Sequence, residues 1–192
     1  MHIILIRHAS TESSHTRIIG HDADDVGLSP EGVKEAELLR GTLPPFGADD
    51  AIAVSPSRRA RETASILFPG RPFALAEGLA EIDKGFPLFL RSHPESARMT
   101  VDEWETAYRT HLGNEERYRL SYPSGVSLAT FAESVAKAFE AIVTAHAGCG
   151  TLYVVTHNGP IRAIMSLNAG KEPHDAYFSL SIPYASFNTI ER

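Results

Sequence analysis

The sequence has one cysteine, Cys149, among 192 residues. That excludes an intrachain disulfide and a cysteine-cluster metal site, and it suits a reducing cytoplasm. Long apolar runs are also absent. None approaches the roughly 20 residues that cross a bilayer, and the opening run, Met1 to Ile6, is too short for a secretory leader and has no basic stretch before it. Positive charge is scarce: 18 Lys and Arg stand against 24 Asp and Glu, a net charge of −6. Nucleic acid and anionic membranes are therefore poor partners. Any anion site must be a local concentration of cations. No His/Asp cluster has metal-ligand spacing, and there is no internal repeat or low-complexity tract.

A chain of this length fits one domain, residues 1–192. It buries about 70% of its unfolded surface and needs no covalent staple. His2–Ile6 is a short β-rich run that reads as a strand covered on both faces. Ser29-Pro30-Glu31 combines an N-cap, a proline at the first helical position and an acid in the first turn. The helix it opens runs through Val33, Ala36, Leu39 and Leu43 and stops before Pro44-Pro45. Ala51–Val54 is a second strand, followed after Ser55-Pro56-Ser57 by a helix to about Leu67. Phe73–Ala76 is a weaker strand. Ser127 opens a long helix, to Gly148, with Leu128, Phe131, Val135, Ala138, Phe139, Ile142 and Val143 on one face. Thr151–Thr156 is the best strand, with a helix after it to about Asn168, and Ala185–Ile190 is a last extended run.

This alternation implies an α/β fold, a three-layer α/β/α sandwich with a mainly parallel central sheet and a helical insertion. Residues 85–123 break the pattern. They read as a lid-like excursion with one helix, Thr100 to about Leu112, opened by a Thr100–Glu103 capping box. Trp104 and Tyr108 share a face of that helix and read as the core of the excursion, with lining of a substrate lid as the alternative. The run Glu115-Glu116-Arg117 reads as a solvated face. His15, His21, His93, His111, His146 and His174 read as surface residues.

Ligands of open α/β sheets bind beyond the carboxyl ends of the strands. Those ends deliver Arg7-His8, Ser55 to Arg59, Glu81 and His157-Asn158. Two Arg, two His and one Glu from distant segments could meet at one sheet edge. Paired guanidinium groups would bind a phosphate dianion bidentately and hold a nearby imidazole neutral and nucleophilic. A second His would donate to an equatorial oxygen. A carboxylic acid would protonate a leaving alkoxide and then activate water. Such a set requires no metal.

Leu5-Ile6-Arg7-His8-Ala9 resembles the signature of the histidine phosphatase superfamily, the phosphoglycerate-mutase-like proteins. Leu28-Ser29-Pro30-Glu31-Gly32 is similar to that family's next helix start. Ser55-Pro56-Ser57-Arg58-Arg59-Ala60-Arg61-Glu62-Thr63-Ala64 resembles its second arginine segment, Leu79-Ala80-Glu81-Ile82-Asp83 its acid segment, and Val154-Val155-Thr156-His157-Asn158-Gly159 its second histidine. Pro123-Ser124-Gly125-Val126-Ser127 and Ala185 to Ile190 complete the order. The resemblance implies His8 as the phosphorylated nucleophile, Glu81 as general acid/base, and Arg7, Arg59 and His157 on the phosphate. Ser14, where mutases carry Asn, and the backbone of Asn158 are further candidate phosphate ligands. Arg58 and Arg61 compete with Arg59, and Asp83 with Glu81.

Ser10, Ser13, Ser14 and Val126 depart from the mutase pattern, and Gly85-Phe86-Pro87-Leu88 replaces its segment after the acid. The expectation is therefore a cytoplasmic, metal- and cofactor-independent phosphatase acting on a small phosphorylated metabolite. The alternatives are a phosphoglycerate-type mutase, or a weakly catalytic protein that binds phospho-ligands or regulates phosphohistidine.

Overall fold

Four consecutive apolar residues, Ile3 to Ile6, leave a strand no polar face, so it needs cover on both sides. The computed structural model, which describes residues 1–16, 18 and 25–192, supplies that cover. The chain runs β1 (His2–Arg7), α1 (Glu12–Thr16), α2 (Pro30–Arg40), β2 (Ala51–Val54), α3 (Arg58–Leu67), β3 (Ala74–Leu75), α4 (Phe86–Ser92), α5 (Val101–Tyr108), α6 (Asn114–Arg119), α7 (Leu128–Ala145), β4 (Thr151–Thr156), α8 (Asn158–Leu167), α9 (Pro173–Ser179) and β5 (Phe187–Glu191). Short 3-10 turns lie at Glu77–Leu79 and Pro94–Ser96.

The strands form one sheet in the order β3-β2-β4-β1-β5. All neighbouring pairs are parallel except β1 with β5. Alternate residues of β1 face opposite cores. Ile3 and Leu5 join Phe131, Val135 and Phe139 of α7 and Ile161 and Ile164 of α8. Ile4 and Ile6 join Leu39 of α2 and Ala60, Ala64 and Leu67 of α3. This is a three-layer α/β/α sandwich. β1 and β4 pair in register from His2–Thr151 to Arg7–Thr156. The next residue of each strand, His8 and His157, therefore emerges at the same sheet edge.

Several boundaries differ from the sequence reading, each for a local reason. The helix opened by Ser29, whose side chain accepts from the Gly32 amide, stops at Arg40 because Gly41 caps it before Leu43. The excursion holds three helices rather than one: α4 and α6 are too short to show periodicity, and α5 ends at Tyr108. Its core is as expected, with Trp104 buried and stacked on Tyr108 and Tyr122.

Arg117 corrects the solvated-face reading of its run. It is half-buried, pairs with Glu105 at 3.8 Å and lies over the Phe178 ring, whereas Glu115 and Glu116 are exposed. His111 is exposed, but His93, His146 and His174 are half-buried. His93 stacks on Phe89, and His146 Nδ1 bonds the Ile142 carbonyl at the end of α7. His21 and the side chain of His15 lie outside the described residues.

Candidate active site

His8 is fixed by the strand end and by the peptides that follow it. Its N–H donates to the Thr156 carbonyl, and its Nδ1 lies 2.8 Å from the Ala9 carbonyl oxygen. A carbonyl only accepts, so Nδ1 carries the proton and Nε2 keeps the lone pair in the neutral ring. The two peptides around Ala9 are held from outside. The Ala9 N–H donates to Thr63 Oγ1 at 3.1 Å, and that hydroxyl donates to the Arg59 carbonyl at 2.7 Å. The Ser10 N–H and hydroxyl donate to the two Glu35 carboxylate oxygens, each at 2.9 Å. His8 is only 6% exposed. Burial, then Arg59 and Arg7, pull its pKa from 6.5 to about 3, with the Ala9 bond opposing. The arginines act in the direction the sequence implied, but desolvation is the larger cause.

Arg7 donates to the Ile182 carbonyl at 2.5 Å, and its guanidinium carbon sits 3.5 Å from the Tyr184 ring centroid. Tyr184 also faces His8, with ring centroids 5.6 Å apart. Ala185, next in the chain, adopts a left-handed backbone (φ 44°) and donates its N–H to the His8 carbonyl. That conformation is costly without glycine, and it is seated by contacts at the site.

Three arginines, Arg58, Arg59 and Arg61, lie in the first turn of α3, and their partners separate them. Arg58 pairs with Glu62 at 2.7 Å and Arg61 with Asp25 at 3.4 Å. Arg59 instead lines the cleft beside His8.

His157 crosses His8 edge-on, with ring centroids 5.0 Å apart. Its Nε2 lies 2.7 Å from Ser55 Oγ and 3.2 Å from Ser57 Oγ, while its buried Nδ1 has no hydrogen-bond partner among the described residues. Burial, then His8, Arg59 and Arg7, hold its pKa well below 6.5. Asn158 opens α8 and lines the cleft, its buried side-chain Oδ1 without a hydrogen-bond partner among the described residues.

Glu81 accepts from the Ile82 N–H at 3.0 Å and from the Gly159 N–H at 3.2 Å. A Cβ on Gly159 would sit 2.1 Å from Glu81 Oε1, so only glycine admits the carboxylate there. Thr156 Oγ1 donates to the Leu79 carbonyl at 2.6 Å, which ties the Glu81 segment to β4. Its rival Asp83 is exposed and accepts from the Gly85 N–H. Ser14 lines the cleft from α1, but its hydroxyl is engaged by the Thr11 N–H at 2.9 Å.

All seven candidate residues, Arg7, His8, Ser14, Arg59, Glu81, His157 and Asn158, thus line one cleft of about 1440 Å³. That volume exceeds the typical pocket of roughly 300–1,000 Å³, so the cleft has room for an organic group beyond a phosphate. Phe86, Arg117 and Tyr122 of the excursion line the same cleft, as does Lys84 just before it. Thr63, Glu35, Thr156 and Tyr184 were not singled out from sequence. Ser55, Ser57 and Thr63 stood inside the arginine segment and could have been weighed there. Glu35 carried no signal beyond a polar helix position.

A model of the histidine phosphatase superfamily (branch 1) matches residues 3–192, and the chain belongs to that superfamily. Solved structures of phosphatases share the fold. A phosphoserine phosphatase mutant from Entamoeba histolytica, in complex with phosphoserine, matches with TM-score 0.75 and 22% identity over 98% of this chain and 89% of that one. The alpha-ribazole phosphatase of Shigella flexneri matches with TM-score 0.77 and 18% identity over 100% and 90%. A mycobacterial glucosyl-3-phosphoglycerate phosphatase complexed with VO3 matches with TM-score 0.73 and 18% identity over 99% and 92%. Comparison with curated proteins found no match.

Proposed function

We propose that this protein is a cytoplasmic phosphatase that hydrolyses a small phosphomonoester through a phosphohistidine on His8. The observation behind this reading is the His8 ring, its Nδ1–H committed to Ala9 and its Nε2 lone pair available among Arg7, Arg59 and His157. Nε2 attacks phosphorus as the ester P–O bond breaks, and Glu81 gives its proton to the leaving alkoxide. Water then attacks phosphorus and gives a proton to Glu81. The P–N bond breaks, inorganic phosphate leaves, and His8 is restored. Arg7, Arg59 and His157 hold the equatorial oxygens through both steps. Asn158 offers the α8 amide end as a further donor, and Ser14 is a peripheral contact.

The protein cations take the charge-neutralising part that a metal plays in other phosphoryl transfers. Among the described residues, no group of three or more His, Cys, Asp or Glu side chains could hold a metal ion. Hydrolysis of p-nitrophenyl phosphate tests the proposal. Turnover should persist in chelator, vanish in His8→Ala, and leave an acid-labile, alkali-stable phosphoprotein after rapid quenching. Parental turnover by His8→Ala would end it.

A further inference from the structure

Two serine hydroxyls meet one nitrogen of His157, and neither takes part in the steps above. Ser55 directly follows β2, is wholly buried, and donates its N–H to the Val155 carbonyl of β4 at 2.9 Å. That bond ties it to the strand that delivers His157, and its Oγ lies 2.7 Å from His157 Nε2. Among the described residues the Ser55 hydroxyl has no other hydrogen-bond partner. Ser57 is the N-cap residue of α3. Serine there ordinarily bonds a backbone N–H of the first turn, but Ser57 makes no such bond and sets its Oγ 3.2 Å from the same Nε2.

Burial, His8 and the two arginines hold the His157 pKa well below 6.5, so the ring is neutral near pH 7. A neutral imidazole has one N–H and one lone pair, and the two nitrogens differ in kind. With the proton on Nε2, the ring would donate to the serines. The buried Ser55 hydrogen would then lack an acceptor, and the Nδ1 lone pair would lack a donor. In the other tautomer Ser55 donates to the Nε2 lone pair, and only the Nδ1–H is left open. His157 lines the cleft with Arg7, His8 and Arg59. Ionised phosphoryl oxygens accept hydrogen bonds, so an N–H holds them where a lone pair would repel them.

We infer that Ser55 is a positioning residue for His157: its hydroxyl donates to Nε2, keeps the ring proton on Nδ1, and so makes Nδ1–H the donor to the transferring phosphoryl group. This inference rests on the phosphatase reading and deepens it. His8 and His157 then carry their protons on the same nitrogen for opposite ends. At His8 the protein takes up Nδ1–H, through Ala9, and leaves Nε2 to attack. At His157 it takes up Nε2 and leaves Nδ1–H for the charge that shifts onto the equatorial oxygens.

The test reads the tautomer and the rate together. In protein labelled with 15N-histidine, long-range 15N–1H correlations near pH 7 tell the two ring nitrogens apart, and the His157 signals are those lost in His157→Gln. In the parent, Nδ1 should be protonated and Nε2 bare. Ser55→Ala should move proton onto Nε2 and lower kcat/KM for p-nitrophenyl phosphate roughly 10- to 100-fold, the worth of one charge-assisted hydrogen bond in the transition state. The parent spectrum needs no variant to fold: a proton on Nε2 overturns the inference. So does parental kcat/KM in Ser55→Ala, or a loss of rate with the proton still on Nδ1, which would mark Ser55 as packing alone. If the parent fails on p-nitrophenyl phosphate, or His8→Ala retains that activity, the phosphatase reading falls and takes the Ser55 role with it. If His8-dependent turnover accompanies a proton on Nε2 of His157, only the Ser55 role falls.

Discussion

Thr63 is wholly buried and does not itself line the cleft, yet its hydroxyl joins the His8–Ala9 peptide to the first turn of α3. Thr63→Val keeps the side-chain shape and removes the hydroxyl. The Ala9 N–H, inside a residue that is 0% exposed, then loses its acceptor. An orphaned buried donor costs about 1–3 kcal/mol. At about 2 kcal/mol, and about 2–4 °C per kcal/mol for a chain of this size, the thermal midpoint should fall by roughly 4–8 °C. The catalytic effect should be larger than the loss of stability implies. With its N–H unanchored, the His8–Ala9 peptide can turn, and the Ala9 carbonyl no longer holds His8 Nδ1–H. Because a displacement of about 1 Å can cost about 100-fold, kcat for p-nitrophenyl phosphate should drop at least tenfold, while KM changes less. Thr63→Ser restores the hydroxyl and should recover most of both losses. Parental kcat and midpoint in Thr63→Val would show that the hydroxyl anchors nothing of consequence.

Two further outcomes follow from the site. Gly159→Ala should displace Glu81, whose Oε1 would lie 2.1 Å from the new Cβ, while helix propensity in α8 improves. Turnover of alkyl phosphates should fall about 100-fold, in the range of lost general-acid catalysis. p-Nitrophenyl phosphate, whose leaving group needs little protonation, should fall much less; equal losses would contradict the acid role.

The depressed histidines also give the stability a pH slope. His8 titrates at about 3 rather than 6.5, and His157 is also lowered. Between those values the unfolded chain binds more protons than the folded one, so stability is lost as pH falls from about 6.5 toward 3. Each histidine contributes up to about 1.4 kcal/mol per pH unit. Thermal midpoints across that range should fall more steeply for the parent than for His8→Gln. Identical slopes would refute this account.

The strands and the order of the cleft residues were legible because their signals are local. Apolar runs at Ile3–Ile6 and Thr151–Thr156 announce buried strands, and polar residues just beyond them announce the ligand edge. Choosing Arg59 over its neighbours needed the motif, since adjacent arginines look alike until Glu62 and Asp25 occupy Arg58 and Arg61. The excursion was poorly legible. Its helices are too short for periodicity, and its order comes from aromatic packing around Trp104 and the buried Arg109. Glu35 was invisible as a support because its contact with Ser10 spans 25 residues of sequence and depends on the way α2 crosses the loop after β1.

The sheet order has a consequence for how the site comes into being. β1 is the first strand of the chain, yet both of its neighbours, β4 and β5, lie beyond residue 150. Until those segments are synthesised, β1 has no hydrogen-bonding partner and His8 has no His157 beside it. Closing such distant pairs is the slow, entropically uphill part of folding. Recovery of hydrolysis during refolding should therefore lag the appearance of helix. An enzyme built this way acquires its chemistry in the last stage of folding, when the earliest and latest parts of the chain meet.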